Sequence, residues 1–219
     1  MVHLKANRLS VSRLSRYRGL LCRVREYDVK WMFSEEIAAA LGITAAQVRK
    51  DFSHFGVTGR RKMGYQVEAI LRHLDAILGK DEPASAVLAG FGPLGKSLYK
   101  EYFSNDKAIR IVAAFDRSVH SAVRHDPDTG IPVYPLAALS EFVADKGIRI
   151  GVITFADKTA QNALDLMVLG GILGILSLSP VELKSPKHCF VNSVNVLREF
   201  ENVVFFAGNG TAPKKGATV

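Results

Sequence analysis

Three glycines and one carboxylate stand where a nucleotide could be held. Gly90-Phe91-Gly92-Pro93-Leu94-Gly95 follows the apolar run Ser85–Ala89, and Asp116 closes a second apolar run, Ile109–Phe115, 21 residues after Gly95. Glycine at the first position permits a tight turn, at the second lets a pyrophosphate approach the backbone, and at the third lets a helix lie close to a strand. The helix that opens there offers unpaired N–H groups to phosphate oxygens. Pro93 fits the first helical turn but withdraws one of those donors. Asp116 is placed to accept hydrogen bonds from the ribose hydroxyls and to repel a 2′-phosphate, which favours NAD(H) over NADP(H). Arg117 beside it tempers that preference without reversing it. The cofactor expected is NAD(H), on Gly90, Phe91, Gly92, Pro93, Leu94, Gly95, Asp116 and Arg117.

A second constellation lies upstream. Phe33–Leu41 followed by Gly42, and Thr44 followed by Ala45–His54, spell two short helices around a glycine turn. Ser34 is expected to cap the first, with Glu35 and Glu36 in its first turn, and Thr44 the second. Val48 and Phe52 face inward four residues apart, leaving Gln47, Arg49, Lys50, Ser53 and His54 outward. Arginine and lysine pair with guanine and glutamine with adenine, so this helix carries side chains suited to reading bases in a major groove. Arg60, Arg61 and Lys62 sit between glycines, as the tip of a β-wing does, within reach of phosphates or a minor groove. The pattern predicts a winged helix that binds double-stranded DNA; an ordinary exposed helix face is the plainer alternative.

Charge divides the chain at the same place. Residues 1–80 hold 15 Lys and Arg against 7 Asp and Glu, whereas the remainder holds 14 against 14, so the formal charge of +8 resides in the first segment. Such an excess concentrates polyanions. No apolar leader follows Met1, and the longest apolar run, Leu166–Leu176, is too short to cross a bilayer and reads as helix end, turn and strand. A cytoplasmic location without membrane association is expected. Cys22 and Cys189 have no paired spacing and read as small buried residues, Cys189 with a redox-sensitive role as the alternative. No metal site is expected.

The elements that must position these residues follow from periodicity. Leu14, Tyr17, Leu21 and Val24 recur at helical spacing within Ser12–Tyr27, with Arg13 and Arg16 among the cations on its other faces, expected to join the DNA contacts. Val67, Ile70, Leu71, Leu74 and Leu78 form a closing helix before the linker Lys80–Ala84. After the glycine turn a helix runs to about Phe103. Strands at Ile131–Tyr134, Ile148–Thr154 and Gly171–Leu176 then alternate with helices at Leu136–Lys146 and Asp157–Leu169. Ligands of such sheets sit beyond the carboxyl ends of the strands. Thr154-Phe155-Ala156 and Ser177-Leu178-Ser179-Pro180 therefore border the nicotinamide end, or are ordinary turns. Tyr99 either stacks near the cofactor or packs in the core. The fold class expected is α/β. A winged-helix domain (1–80) precedes a Rossmann-like, doubly wound parallel-sheet domain (81–193). A C-terminal helix (194–206), packing on its own domain or on a partner subunit, and a disordered tail (207–219) complete the chain.

The chain resembles the Rex family of redox-sensing transcriptional repressors. The resemblance rests on Ala46-Gln-Val-Arg-Lys-Asp51, Phe55-Gly56 and the wing to Gly64-Tyr65, the glycine fingerprint, Ile111–Asp116, Ile131–Tyr134 and Gly174–Leu176, and spans about Leu14 to Phe206. It adds Ala46 and Tyr65 to the DNA-facing set. It implies a homodimer that binds an inverted-repeat operator through paired winged helices and is released by NADH, with the last helix swapped between subunits. The family commonly carries Asn, Pro, Asn and Asp where this chain has Pro93, Ala156, Ser177 and Asn195. A neutral amide at Asn195 pairs with arginine less strongly than a carboxylate. Two other readings stand beside it. An NAD-dependent oxidoreductase with an appended DNA-binding domain would need a catalytic domain for which no residues remain, and no general acid stands out beside the nicotinamide. A DNA-binding dimer with a vestigial cofactor site would bind without sequence preference and ignore NADH.

Overall fold

The computed structural model describes residues 8–80, 83–106 and 108–208, and the chain divides into two compact units, one reaching Glu82 and the other starting at Pro83. Among the described residues no helix is long and apolar enough to cross a membrane.

The first unit is built on α1 (Arg8–Glu26), β1 (Trp31–Met32), α2 (Ser34–Leu41), α3 (Ala45–His54), β2 (Tyr65–Gln66) and α4 (Val67–Ile77). Leu14, Tyr17 and Leu21 fall on one face of α1 and are fully buried with Ile37, Val48, Phe52 and Leu74. Each such side chain contributes about 1.5–3 kcal/mol by leaving water. Phe52 meets the rings of Tyr17 and Tyr65 edge-on at 5.1 and 4.9 Å. The cap expected at Ser34 falls one residue earlier. Phe33 is the N-cap residue, and Glu36 reaches back to accept its N–H at 2.6 Å, which leaves the Ser34 hydroxyl inside the turn. Gly42 ends α2 in the left-handed region, and Thr44 caps α3 by accepting the Gln47 N–H at 3.1 Å. β1 and β2 pair antiparallel, and an Arg60–Gly64 bridge closes the wing tip.

The second unit alternates strands and helices: β3 (Ala84–Ala89), α5 (Pro93–Leu98), β4 (Ile109–Asp116), β5 (Arg124–His125), β6 (Pro132–Pro135), α6 (Leu139–Lys146), β7 (Ile150–Ile153), α7 (Thr159–Gly170), β8 (Gly174–Ser177), β9 (Phe190–Ser193) and α8 (Val196–Gly208). The sheet order is β5-β6-β4-β3-β7-β8-β9, parallel except for β5. Its direction of winding reverses between β3 and β7, and β3 is buried on both faces, as the apolar run at its end demands.

Three features depart from the expected pattern. The helix after the glycines stops at Leu98 and its last turn, Tyr99–Phe103, widens to a π-turn with Ser104 N–H on Tyr99 O at 2.8 Å. Strands β5 and β9 add to both edges, β5 running antiparallel, so the sheet is mixed. Neither has a run of buried residues to leave an apolar signature: Arg124 and His125 are exposed, and in Phe190–Ser193 Val191 packs only half-buried against the core. Gly171 instead ends α7 with φ near +102°, which moves the start of β8 to Gly174. Ala207 and Gly208, expected in the disordered tail, instead continue α8, while Asp81 and Glu82 of the expected linker and residues 209–219 of that tail lie outside the described residues.

Candidate functional site

At the reversal point β3 runs into the glycine turn. Gly90 takes φ near +97°, and a Cβ there would stand 2.6 Å from the Thr154 hydroxyl. That hydroxyl donates to the Gly90 carbonyl at 2.6 Å, so Thr154 at the end of β7 braces the turn. A Cβ on Gly95 would fall 2.1 Å from the Gly90 oxygen, so only glycine lets α5 come this close. Gly92 faces open space and is exposed, as are Pro93 and Leu94.

Asp116 closes the cradle from the neighbouring strand. Its Oδ2 accepts the Phe91 N–H at 2.7 Å and its Oδ1 the Ser118 N–H at 2.8 Å. Burial pushes this carboxyl up, but the N–H groups of Ser118 and Phe91 outweigh it and hold the pKa below the ordinary carboxylate value. The side chain is therefore an anion fixed at the mouth of the crevice. Lys96, one turn into α5, lies 5.7 Å from the centre of the Phe91 ring and pairs with the buried Asp126 of the loop before β6.

The far side of the crevice is set by the ends of β7 and β8. Phe155 is buried under the Arg117 guanidinium, 6.0 Å from its ring centre, while Ala156 is exposed. Arg117 Nη1 donates to Asp157 Oδ2 at 2.5 Å and to Thr159 Oγ1 at 3.0 Å. Ser177 is fully buried and accepts the Ser179 N–H, and Leu178 is half-buried against the sheet. Tyr99 is not brought to this crevice. About 9 Å of helix separates it from Pro93, and it lines a cavity with Pro83, Arg110 and Ile111 at the amino ends of β3 and β4.

On the first unit, α3 presents Ala46, Lys50, Ser53 and His54 to solvent, and the wing presents Arg60, Arg61 and Lys62. Several cations of the expected DNA face are engaged within the unit. Asp51, buried on α3, accepts Arg13 at 2.6 and 2.8 Å, the Tyr17 hydroxyl at 2.7 Å and the Gln47 amide at 2.8 Å. Burial raises the Asp51 pKa, but these donors, Arg13 foremost, outweigh it and hold the carboxyl below its ordinary range. Burial, then the Asp51 contact, pushes Tyr17 upward. Arg49 turns back to Ser34 and Glu35 at 2.9 Å, Arg16 donates to the Leu41 carbonyl at 2.6 Å, and Arg60 lies over the Trp31 ring at 5.4 Å. Tyr65 is half-buried beneath the wing. Ser10, Arg13, Gln47, Lys50, Ser53 and His54 border one cleft between α1 and α3.

Sequence reasoning missed Asp51, Lys96, Asp157 and Thr159 as members of these sites. Asp51 was within reach: it stands three residues after the inward Val48, on the buried face of α3, where a carboxylate must have partners. The other three are tied to the crevice by partners distant in sequence, Lys96 by Asp126 and the Asp157–Thr159 pair by Arg117. The described residues contain no group of three or more His, Cys, Asp or Glu able to hold a metal. Cys22 is half-buried and Cys189 buried, the latter's thiol pushed up by burial.

In α8, Leu197, Phe200, Val203, Val204, Phe205 and Phe206 are each more than three-fifths exposed, an apolar surface that monomeric proteins rarely leave in water. Asn195 caps this helix by accepting the Arg198 N–H at 3.2 Å.

Comparison with known proteins agrees with this division. Residues 8–53 match a family model described as "Putative DNA-binding protein N-terminus", and residues 81–181 one described as "CoA binding domain". The chain is 34% identical over 197 residues to the redox-sensing transcriptional repressor Rex of Streptococcus agalactiae, covering 90% of this chain and 94% of that protein. It is similar in structure to RSP in complex with β-NAD+ and operator DNA (TM-score 0.83, 27% identity, 93% of each chain). The likeness extends to RSP in complex with β-NADH (TM-score 0.79, 26% identity, 94% of this chain and 95% of that one).

Proposed function

The chain belongs to the Rex family of redox-sensing transcriptional repressors, and we propose that it binds an inverted-repeat operator as a homodimer and leaves that operator on taking up NADH. The observation that carries this reading is Asp116, an anion anchored to the glycine turn through Phe91 N–H at the reversal point of the sheet. It sits in the same chain as a helix-turn-helix with a basic wing. A carboxylate there suits the free ribose of NAD(H) and disfavours a phosphorylated one, whether the 2′-phosphate of NADP(H) or the 3′-phosphate of coenzyme A.

α3 would enter a major groove with Ala46, Lys50, Ser53 and His54 toward the bases and Gln47 beside them on its bond to Asp51, while Arg61 and Lys62 reach phosphates. Arg13, Arg16, Arg49, Arg60 and Tyr65 would act chiefly by fixing that surface, given their internal partners. The pyrophosphate would lie over Gly90–Gly95, with the adenosine ribose at Asp116 and the nicotinamide toward Ala156 and Leu178. The apolar face of α8 would bury against a second copy, which also supplies the second half-site reader. A ligand shifts the two orientations of the paired readers only by its differential affinity, typically about 1–3 kcal/mol. A related repressor, RSP, has been crystallised with β-NAD+ together with operator DNA, and separately with β-NADH. By family the protein is a regulator rather than an enzyme, and a cytoplasmic site of action follows from its target.

Calorimetric titration of the full chain tests the cofactor half of this reading. One NADH bound per chain, tighter than NADPH and coenzyme A, is expected; absence of NADH binding would refute it.

A further inference from the structure

The residue after Asp116 presents a puzzle. Arg117 stands where an arginine would accommodate the 2′-phosphate of NADP(H), yet Asp116 favours an unphosphorylated ribose. The structure shows how the two coexist. Arg117 Nη1 is held by Asp157 Oδ2 at 2.5 Å, in the turn that enters α7, and by Thr159 Oγ1 at 3.0 Å, the first residue of α7, and the guanidinium lies over the Phe155 face.

Asp157 is itself fixed. Its Oδ1 accepts the Thr159 N–H at 2.9 Å, so the carboxylate is ordered before it meets Arg117. The bonds from Thr159, then from Arg117, draw its pKa down to about 2, so it is charged at every physiological pH. An isolated surface ion pair is worth little. Here the carboxylate's ordering is already settled by the helix start, and a hydroxyl and an aromatic face hold the same guanidinium. If Arg117 left for a phosphate, Asp157 would remain close by as an unpaired negative charge.

We propose that Asp157, with Thr159, is a specificity-determining residue: it sequesters the Arg117 guanidinium and so denies NADP(H) the cation its 2′-phosphate requires. Selectivity for NAD(H) then has two parts, repulsion by Asp116 and withholding of Arg117 by Asp157. This rests on the reading of the crevice as an NAD(H) site.

The plain alternative is that Asp157 serves only to start α7. Asp157→Asn separates the two, because asparagine caps a helix as well as aspartate but no longer holds arginine by charge. The test is calorimetric titration of the full chain with NADH and with NADPH, for the wild type, Asp116→Ser, Asp157→Asn and the double variant. The readout is the ratio of NADPH to NADH affinity. With Asp116 replaced, adding Asp157→Asn is expected to raise this ratio by about tenfold, the worth of one charge-assisted bond, and adding Arg117→Ala is expected to cancel the gain. A ratio that Asp116→Ser moves but Asp157→Asn does not would overturn the inference and leave the NAD(H) reading standing. A gain that survives Arg117→Ala would also overturn it. A wild type that binds no NADH would remove the NAD(H) reading and this inference with it.

Discussion

Asp116 and Phe91 lie 25 residues apart, and a carboxylate oxygen of the first accepts the backbone N–H of the second at 2.7 Å. One side chain thus fixes the shape of the glycine turn and supplies the anion that the proposed function sets against the ribose. Asp116→Asn keeps the volume but lacks the charge and offers one acceptor oxygen in place of two. NADH affinity is expected to fall by about tenfold, with the loss read directly by calorimetry. Unchanged affinity would place the ribose elsewhere.

The Arg13–Asp51–Gln47 network ties α1 to α3, and its carboxyl has a pKa below the ordinary 3.8. A depressed folded-state value means the unfolded chain binds the proton more readily. The stabilisation is therefore whole above about pH 5 and is lost as the pH falls through the folded value. Asp51→Asn should destabilise the first unit by about 1–3 kcal/mol at neutral pH, and the gap to the wild type should narrow below pH 4. Trp31, the single tryptophan, lies in this unit and reports its unfolding in urea by fluorescence. A gap independent of pH would mean that Asp51 acts by packing alone.

Arg61 and Lys62 are exposed at the wing tip. Replacing either by alanine should weaken binding about equally for operator and unrelated DNA and lower the salt slope by about one per cation removed. Lys50→Ala, on the helix proposed to enter the major groove, should instead reduce the preference for operator. Fluorescence anisotropy across a salt series distinguishes the two patterns.

Phe200 stands near the middle of the exposed apolar face of α8. Phe200→Glu puts a charge into the surface assigned to the second subunit. Sedimentation should then show a monomer whose operator affinity has dropped by at least about tenfold, since both half-sites no longer bind together. A dimer that survives this change would assign another surface to the contact.

What was legible in the sequence followed local rules. The glycine turn, the strand ending at Asp116, the caps at Gly42 and Thr44 and the inward Val48 and Phe52 depend on neighbours within a few residues. The rest depends on distant partners. Nothing around Arg13 announces Asp51, nothing around Arg117 announces Asp157, and nothing around Lys96 announces Asp126. Strands β5 and β9 escaped because edge pairing needs no apolar face. Between the two roles open to Tyr99, the rise of the intervening helix decides for packing: it carries the ring toward the opposite end of the sheet, against the core.

The most direct test of the account is the anisotropy of the full chain on an inverted-repeat operator, titrated with NADH and, separately, with NAD+. Release by NADH at concentrations where NAD+ leaves the complex intact is the predicted result. A specific complex that ignores both nucleotides would contradict it.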